Sequence, residues 1–505
     1  MRLDRRSFLK LAGATVSAVF LPQLYSASGA LQDGSARKNI VILLFDAMSA
    51  RNLSVYGYPR RTTPNFERFA ERSIVYHSHY AGGNYTIPGT STLLTGTYPW
   101  THRAVNYSGP NFSGKIDNNI FAALGSDYQR YGFGQNVWAH LIIAQFEKYV
   151  DTLLSAGSFS EIDFLLNDYF PNDRNFAIRA LDDFMFNREN TPASVLFGPL
   201  YRALYYRKTA MLGSEGYPRE IPQNMNYPLH FRMETLFSGI TSTILELPSP
   251  AFAYLHFYPP HSPYRSSKRF FGTFVDGWVP PNKPVHRFSD NTPKQKILTH
   301  RRTYDEYVAT LDWEFGKLMD TLEENGVFDN SYVIITSDHG EMFERGEKAH
   351  NTVLLYDPVI HIPLMISVPG QRIRRDVYSN TSAVDLLPTI SHIAGKPIPS
   401  WSEGKLLPEL GGNEDTSRSI FAVEAKTNPA FTPLHTSTIA MYKDKYKLIY
   451  YTGYEPEVSF ELYDLDADIE EMEDLYPQTP GVVKKLKEEL LDSLSDADKP
   501  YKKNT

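Results

Sequence analysis

The sequence predicts an α/β fold built on buried strands. Residues 38–45, 251–257 and 331–336 are short and almost entirely apolar runs, as expected for strands that are covered on both faces. The first and the last of these runs lead into acidic residues, Asp46 and Asp338. Because open α/β sheets bind their ligands at the carboxyl ends of their strands, these two positions predict a functional site.

Length and composition limit the functions that the chain can have. Its 505 residues can bury a large core and suit roughly two to four domains, or one large domain with an appendage. The hydrophobic fraction of 42% and the charged fraction of 22% are typical of globular proteins. A net charge of -7 argues against a nucleic-acid partner, because phosphate backbones are bound by clustered Lys and Arg. The absence of cysteine excludes disulfides, thiolate nucleophiles and cysteine-bound zinc.

The N-terminus carries an export signal. Arg5 and Arg6 precede an apolar run at residues 11–21, and small residues follow it. This pattern predicts a twin-arginine signal peptide over residues 1–30, and therefore export by the twin-arginine machinery to the periplasm or the outside of the cell. The apolar run is short for a membrane span, but an uncleaved anchor stays open as the alternative.

Further elements follow along the chain, each with its own sequence signal. Helices are predicted where apolar residues recur at helical spacing or where capping residues bound a segment. They cover residues 64–72, 118–129, 138–155, 176–187, 304–325 and 486–494. Short strands are predicted at residues 73–77, 131–135, 420–425, 438–441, 446–451 and 460–465. The last four strands predict a small antiparallel C-terminal subdomain within residues 396–505, and the aromatic-rich region 105–250 is expected to form much of the pocket wall.

Thr86 opens a short predicted helix that Gly96 ends. Pro88 near the start and a glycine past the end follow the usual asymmetry of helix termini. A hydroxyl at a helix N-terminus lies where backbone N–H groups and the helix dipole favour an anion. That position suits an attacking alkoxide and the oxyanion that it attacks. The alternative is an ordinary helix cap, because threonine is a common N-cap residue.

Asp46, Asp338 and His339 form a second group of candidates, at predicted strand ends near Thr86. Carboxylates and imidazoles bind divalent metals, which lower the pKa of a bound hydroxyl and neutralise charge on a transferring group. These donors suit manganese, magnesium, calcium or zinc. Taken alone, Asp46 is equally consistent with a helix N-cap.

His261 is a candidate because of the loop that holds it. It lies between Pro260 and Pro263, after the strand at residues 251–257, and prolines make such a loop rigid and nonhelical. The functional interpretation is a histidine that faces the site. The alternative is a loop histidine that packs on Tyr264.

Taken in order, these motifs resemble the sulfatase branch of the alkaline phosphatase superfamily, over roughly residues 38–494. The shared segments are the opening strand with Asp46, Tyr-Gly-Tyr at residues 56–58, Thr-Thr-Pro-Asn at residues 62–65, Leu-Thr-Gly-Thr-Tyr-Pro at residues 94–99 followed by His102, Pro-His-Ser-Pro-Tyr at residues 260–264, Thr-Ser-Asp-His-Gly-Glu at residues 336–341, His350, and Glu-Leu-Tyr-Asp-Leu-Asp at residues 461–466. The resemblance implies a three-layer α/β/α sandwich with a mostly parallel central sheet, as a catalytic domain over residues 38–395. It also implies a small C-terminal antiparallel α+β subdomain.

The chain departs from this family at residues that decide the chemistry. Sulfatases carry Cys or Ser, oxidised to formylglycine, where this chain has Thr86. Because threonine has a methyl group on Cβ, its oxidation would give a ketone and not the aldehyde that formylglycine chemistry requires. The family's Ser and Arg after the proline are Gly89 and Thr90 here, and the second Asp of its opening pair is Ala47. An unmodified Thr nucleophile is similar to the phosphodiesterases, nucleotide pyrophosphatases and phosphoglycerol or phosphoethanolamine transferases of the superfamily.

We therefore predict a metal-dependent hydrolase or transferase acting on phosphodiesters, phosphonate monoesters or phosphoglycerol-type esters, whether small molecules, lipids or polymers. Thr86 attacks phosphorus and forms a phospho-threonine intermediate, which water or an acceptor alcohol then removes. His261 and His350 bind substrate oxyanions or protonate the leaving group, and Lys348 and His102 supply further positive charge. The alternatives are a sulfate ester hydrolase, and a noncatalytic protein on the same scaffold.

Overall fold

The structure is a computed structural model of the chain. It describes residues 37–106, 112, 115–160, 207, 216–224, 229–429 and 431–502. The export signal predicted at residues 1–30 and the helix predicted at residues 176–187 lie outside the described residues, and both stay predictions. Within the described ranges, no helix is long and apolar enough to cross a lipid bilayer.

Most strands belong to one large central sheet. In chain order the strands are β1 (Asn39–Phe45), β2 (Ile74–Tyr76), β3 (His79–Tyr80), β4 (Gln129–Gly134), β5 (Thr152–Leu154), β6 (Ala251–Phe257), β7 (Ser331–Thr336), β8 (Leu364–Ser367), β9 (Arg375–Val377), β10 (Thr381–Ser382), β11 (Ile420–Glu424), β12 (Ser437–Lys443), β13 (Tyr446–Thr452) and β14 (Ser459–Asp464). The central sheet has the order β5-β4-β6-β1-β7-β8-β2-β9. Strand β8 runs antiparallel to both of its neighbours, and the other pairs are parallel. The mostly parallel central sheet is therefore confirmed.

Helices connect these strands. They are α1 (Pro64–Ala70), α2 (Thr86–Thr95), α3 (Pro99–His102), α4 (Ile120–Leu124), α5 (Val137–Gln145), α6 (Met233–Leu245), α7 (Lys294–Glu324), α8 (Val327–Asn330), α9 (Asp357–Ile360), α10 (Leu386–Ile393) and α11 (Pro480–Asp498). Four of them differ from the predicted bounds by more than two residues. The helix predicted at residues 118–129 spans only Ile120–Leu124, and the helix predicted at residues 486–494 spans Pro480–Asp498. The predicted helix at residues 138–155 ends at Gln145, because residues 152–154 join the sheet as β5. Helix α7 begins at residue 294, ten residues before its apolar stripe.

Helices cover both faces of the central sheet. Val41 and Phe45 of β1 point into a core that contains side chains of α1, α6 and α7. Ile40 and Leu44, which alternate with them, point into a second core with α2, α4, α5 and α10. Because all four side chains are fully buried, water reaches neither face of this strand, which explains its unbroken apolar sequence. This arrangement is the three-layer α/β/α sandwich that the resemblance implied.

A separate antiparallel sheet, β11-β12-β13-β14, follows near the C-terminus. One face packs on α11 through residues such as Leu486 and Leu490, and the other packs on the segment around Leu355 and Val359. Alternating residues of β12 belong to these two cores, because successive side chains of a strand point to opposite faces of its sheet. The antiparallel C-terminal sheet is confirmed.

Candidate active site

The carboxyl ends of three neighbouring strands bring the acidic motifs together. In the parallel register, Leu44 of β1 lies beside His256 of β6 and Thr336 of β7. Asp46 and Asp338 each follow this aligned layer by two residues, so both carboxylates emerge at the same edge of the sheet. That edge is the one at which open α/β sheets bind ligands.

Helix α2 brings Thr86 to this edge. The helix begins at Thr86, and Gly96 ends it with a φ of 65°, in the left-handed region. At Gly89 the helix comes so close to Asp338 that a Cβ would lie 2.2 Å from the Asp338 carbonyl oxygen. Any larger residue at this position would force the helix away from the sheet. Gly89 therefore sets the distance between the candidate nucleophile and the acidic pair.

The acidic and imidazole groups form a compact buried cluster. One ligand-type atom from each of Asp46, Asp338 and His339 lies within 4.8 Å of the others. The His339 Nε2 atom is 3.3 Å from Asp46 Oδ1 and 3.6 Å from Asp338 Oδ2. The His339 Nδ1 atom is 2.9 Å from the carbonyl oxygen of Gly340, which holds the proton on Nδ1 and turns Nε2 toward the carboxylates.

The electrostatics of this cluster favour an added positive charge. Asp46 Oδ1 and His339 Nε2 are buried and lie 3.3 Å apart, but neither atom makes a well-directed hydrogen bond with a described residue, an arrangement that costs free energy. Burial disfavours a charged His339, but the carboxylates of Asp338 and Asp46 outweigh it and raise the pKa of His339 to about 9. A divalent cation would take the place of that proton. Two carboxylates and one imidazole fit such a cation well.

The pKa values of the two carboxylates shift in opposite directions. Burial raises the pKa of Asp338, and the neighbouring Asp46 carboxylate raises it further. Burial acts in the same sense on Asp46, but His261, His256 and His339 hold the pKa of Asp46 well below its ordinary value. Two buried carboxylates that repel each other are an arrangement that a bound cation relieves.

Asn136 and His256 also contact this cluster, and neither was among the residues predicted for the site. The Asn136 amide donates to Asp46 Oδ2 (2.5 Å) and to Thr86 Oγ1 (3.2 Å), so it fixes the hydroxyl beside the carboxylate. His256 Nε2 lies 3.3 Å from Asp46 Oδ2 and 3.8 Å from Asp338 Oδ2. His256 sits inside an apolar strand and resembles a core residue. Asn136 follows the end of β4, and that position was the available signal.

A cavity of about 740 Å³ opens over Thr86. His261, His350 and Lys348 line it together with Thr86. The ring centroids of His261 and His350 are 4.8 Å apart, and those of His350 and His339 are 4.4 Å apart. The structure thus brings the predicted nucleophile and three predicted substrate contacts into one space.

Hydrogen bonds orient both cavity imidazoles in the same way. The Nδ1 atom of His261 is 2.7 Å from the Ser262 carbonyl oxygen, and that of His350 is 3.1 Å from both Glu341 carboxylate oxygens. With Nδ1 engaged, Nε2 of each ring is free for a substrate. Burial lowers the pKa of both histidines and raises the pKa of Glu341 to about 7. An anionic substrate beside the rings would shift both imidazoles back toward their charged form.

His102 is the predicted site residue that the structure places elsewhere. It is buried at the end of α3, with Nε2 3.2 Å from Thr92 Oγ1, and its Nδ1 accepts a hydrogen bond from the Ala104 N–H. Thr92 lies six residues beyond Thr86, about 9 Å further along the helix axis, and His102 does not line the cavity. Its contacts are those of a packing residue.

Comparison with known proteins identifies the family. Residues 38–160 and 185–396 match the family described as Sulfatase. Residues 346–496 match the region described as N-sulphoglucosamine sulphohydrolase, C-terminal. Because the first match covers more than half of the chain, the chain belongs to the sulfatase family, and the predicted resemblance is confirmed. Proteins of this family are ester hydrolases.

Several relatives match most of the chain at low identity. Choline-sulfatase from Rhizobium meliloti is 23% identical over 483 residues, which cover 89% of this chain and 84% of the relative. N-acetylglucosamine-6-O-sulfatase from Bacteroides thetaiotaomicron is 23% identical and covers 97% of this chain and 92% of the relative. Arylsulfatase K from Xenopus laevis is 27% identical over 45% of each chain.

Solved structures share the fold. The phosphonate monoester hydrolase of Agrobacterium radiobacter has a TM-score of 0.66 at 18% identity and covers 91% of this chain and 96% of its own. The phosphonate monoester hydrolase of Silicibacter pomeroyi has a TM-score of 0.64 at 17% identity, covering 92% and 97%. A protein in complex with D-glucosamine-2-N,6-O-disulfate has a TM-score of 0.60 at 17% identity, covering 93% and 99%. At these identities the likeness establishes the architecture alone.

Proposed function

We propose that this sulfatase-family hydrolase acts on phosphate esters, in a metal-dependent reaction with Thr86 as the nucleophile. One observation carries the proposal. The Thr86 hydroxyl lies at the N-terminus of α2, bonded to Asn136 beside Asp46, and it opens into the cavity that His261 lines. A threonine there, in a chain without cysteine, supplies an alcohol nucleophile and no route to a formylglycine aldehyde.

Different residues of the site would hold the metal ion, the nucleophile and the substrate. Asp46, Asp338 and His339 would hold the divalent cation, which lowers the pKa of a nearby hydroxyl and neutralises charge on the transferring group. Asn136 holds Thr86 Oγ1 in place through its 3.2 Å hydrogen bond. Lys348 lines the cavity, where an ammonium group attracts an anionic substrate.

In the first half of the reaction, Thr86 loses its hydroxyl proton to water and its Oγ1 attacks phosphorus. A bond forms between Oγ1 and phosphorus while the ester P–O bond breaks, and the electron pair of that bond leaves with the ester oxygen. His261 or His350, charged in the presence of the anionic substrate, gives the departing oxygen a proton. The product of this half is a phospho-Thr86 whose phosphorus keeps the second substituent of a phosphodiester or phosphonate.

In the second half, a water molecule attacks the same phosphorus atom. The bond to Oγ1 breaks, Thr86 regains a proton from solvent, and the histidine that had donated its proton takes one from the attacking water. One water is consumed for each ester cleaved. With an alcohol in place of water, the same step is a phosphoryl transfer.

A second candidate function is the hydrolysis of sulfate esters by the same residues. The observation that favours it is that two of the relatives are a choline-sulfatase and an N-acetylglucosamine-6-O-sulfatase, which match over 84% and 92% of their own lengths. Sulfate and phosphate esters are both tetrahedral anions, so the cavity geometry suits either. Thr86 would then carry a sulfo group between the two half-reactions.

Matched aryl esters separate these functions. We would assay a phosphate monoester, a phosphodiester, a phosphonate monoester and a sulfate with metal-loaded wild type, Thr86→Ala and Thr86→Ser. We expect phosphodiester or phosphonate turnover to fall by about 10⁴-fold or more in Thr86→Ala and to survive in part in Thr86→Ser, which keeps the hydroxyl. Turnover of the sulfate alone would favour the second candidate, and equal rates in Thr86→Ala would overturn the mechanism.

A further inference from the structure

The long connection between β6 and α7 differs in charge from the rest of the chain. Residues 265–302, which continue into the first turns of α7, hold nine Lys or Arg and two Asp, whereas the whole chain carries a net charge of -7. Some of these cations are neutralised, such as Lys283 by Glu344. A basic stretch in an acidic protein indicates an anionic partner.

Other cations of this stretch are exposed to such a partner, and one of them, Lys294, also donates to Asn282 Oδ1 at 2.7 Å. Lys268, Lys294 and Lys296 are exposed, and none of them forms an ion pair with a residue in the described part of the chain. Arg269 is also exposed, and its guanidinium lies 3.7 Å from the ring centroid of Trp313, which is itself 38% exposed. Cations and apolar side chains are thus interleaved on this surface.

Large apolar side chains are exposed in the same stretch. Phe271 is 48% exposed, Val275 68%, Val279 58% and Val285 59%. These are four of the twelve exposed large apolar side chains of the described residues, within fifteen consecutive positions. Such a concentration marks an interaction surface, because scattered single exposures are the ordinary case.

Contacts place this surface at the mouth of the active-site cavity. Arg219 lines the cavity, and its guanidinium lies 4.5 Å from the ring centroid of Phe271. Thr299 lines both the cavity and an adjoining pocket of about 230 Å³, whose walls include Val275 and Val279. Phe271 therefore lies beside the wall of the active-site cavity, and Val275 and Val279 lie in the pocket next to it.

We infer that this surface, called here the mouth patch (Lys268, Phe271, Val275, Val279, Lys294 and Lys296), binds the face of a lipid bilayer rich in anionic phospholipids. Val275 and Val279 are the most exposed apolar residues of the patch; they gain free energy by entering the acyl boundary of a bilayer and, unlike Phe271, offer no stacking face to a sugar chain. The lysines complement the phosphate charge of the headgroups.

The location gives the patch a role in the reaction. A bilayer seated on the patch presents phosphodiester headgroups at the cavity mouth, so the substrate class is a phospholipid headgroup ester. This consequence rests on the proposed function, because it needs Thr86 to act on phosphorus. Bilayer binding itself does not need any turnover.

Vesicle binding tests the inference with the full chain. We would measure co-sedimentation with phosphatidylcholine vesicles, with and without phosphatidylglycerol, for wild type and two double variants. Val275→Ser with Val279→Ser removes apolar contacts, and Lys294→Gln with Lys296→Gln removes charge. None of these four residues contacts the candidate catalytic groups, so turnover of a soluble aryl ester should stay unchanged and reports folding.

Ile373→Ser with Ile398→Ser provides the matched control. These isoleucines are 76% and 48% exposed but lie at the opposite edge of the sheet. Ile373 follows Arg372, which pairs with Asp329 just before β7, and Ile398 lies near Lys396, which pairs with Asp127 just before β4. The control variant shares the mouth patch and residues 1–36 with wild type, so it should bind vesicles as wild type does.

The expected results separate this inference from the proposed function. Wild type and control should bind only vesicles that contain phosphatidylglycerol; the valine variant should bind at least about tenfold more weakly, and the lysine variant about fivefold more weakly per lysine. Unchanged binding by the valine variant, or loss in the lysine variant alone together with binding to heparin, would overturn the lipid assignment. Failure to cleave any soluble phosphate ester would count against the proposed function and leave the vesicle result standing.

Discussion

Two groups of buried charged residues in this molecule are built in opposite ways. The candidate metal cluster of Asp46, Asp338 and His339 leaves Asp46 Oδ1 and His339 Nε2 without a well-directed hydrogen bond to a described residue. The second group, Arg51, Lys447, Asp357 and Glu471, forms an ion cluster beside the C-terminal sheet. Its two positive and two negative charges balance within the cluster.

The ion cluster satisfies its members with one another. Lys447 Nζ lies 3.0 Å from Asp357 Oδ1 and also contacts Glu471 Oε1, and Arg51 lies 2.6 Å from Asp357 Oδ2. The Asp357 backbone N–H donates to Glu471 Oε2 at 3.0 Å. Burial opposes the charge on Asp357, but Lys447 and Arg51 outweigh it and hold the pKa of Asp357 far below its ordinary value.

The balance of charges and hydrogen bonds within a buried cluster distinguishes a structural cluster from a functional one. A group whose charges and hydrogen bonds close on themselves needs no ligand, and its removal costs stability. A group that leaves buried donor atoms unpaired and carboxylates in repulsion is completed by something from outside. The comparison predicts that mutations in the two clusters affect different properties.

The largest expected effect comes from the metal cluster. We expect Asp46→Asn to lose stoichiometric divalent metal and to lower kcat/KM by about 10⁴-fold or more. Its metal-free form should lose less stability than removal of Lys447 from the ion cluster causes, because the lost attraction between Asp46 and the nearby histidines is offset in part by relief of the repulsion on Asp338. Elemental analysis, kinetics and urea unfolding measure the three properties. Full metal content in the variant would contradict the assignment.

The ion cluster should show the reverse behaviour. Lys447→Met leaves two buried carboxylates short of a partner, and we expect the free energy of unfolding to fall by about 3–5 kcal/mol. Metal stoichiometry should be unchanged. Lys445→Met is the matched control, because Lys445 pairs with Asp464 at a 43% exposed position, where solvent screens the pair and its loss changes stability little. Equal losses of unfolding free energy in Lys447→Met and Lys445→Met would contradict the structural role of the ion cluster.

Asn136 sharpens the comparison inside the functional cluster. It bonds Thr86 and Asp46, but its Oδ1 also caps α5 by accepting from the Trp138 N–H. We expect Asn136→Ser to keep the cap and lower kcat/KM by about 10²-fold with metal retained. Asn136→Ala should lose turnover equally and about 1 kcal/mol of stability as well. Normal turnover in the serine variant would show that Asn136 is a cap and nothing more.

The smallest expected effect concerns His102, which burial keeps neutral by lowering its pKa to about 3. The unfolded state takes up a proton as the pH falls through about 6.5, while the folded state does not, so stability declines below that pH. Between pH 7 and about pH 5 this histidine should cost about 2 kcal/mol. Urea unfolding of His102→Asn, which keeps an acceptor for Ala104, should show a flatter decline.

Kinetics of the same variant test the packing role. His102→Asn should keep the KM of wild type, because His102 does not line the cavity. A large rise in KM for an anionic substrate would restore the sequence-based prediction that His102 contacts substrate.

The parts of the fold that the sequence predicted are those with strong local patterns. Strands β1, β6 and β7 were visible because burial on both faces makes them apolar throughout. The first ten residues of α7 were missed because residues 294–303 carry one isolated buried apolar residue, Ile297, and no stripe. The end of the helix predicted at residues 138–155 was wrong because β5 is a partly buried edge strand of three residues, too short to show a period.

The candidate site was predictable where a polar residue stood directly at a strand end. Asp46 and Asp338 met that condition, and the structure brings them together. His256 was not predictable, because a histidine inside an apolar strand has the pattern of a core residue. The carboxylates beside it come from distant segments of the chain. For His102 the sequence pattern and the structure disagree. Its motif lies near Thr86 in sequence, but the chain folds back along α2 and places His102 beside Thr92. Proximity in sequence and proximity to the site are different properties once a helix intervenes.

Trapping the covalent intermediate tests directly whether Thr86 is the nucleophile. Metal-loaded enzyme would be mixed with an excess of aryl phosphodiester, quenched in acid within a turnover, digested and examined by mass spectrometry. We predict that the peptide containing Thr86 carries one phosphorus, bonded to Oγ1 and still bearing the ester group that did not leave, and that Thr86→Ala shows neither the modified peptide nor turnover. Steady turnover in Thr86→Ala, or a phosphoryl group on a different residue, would contradict it.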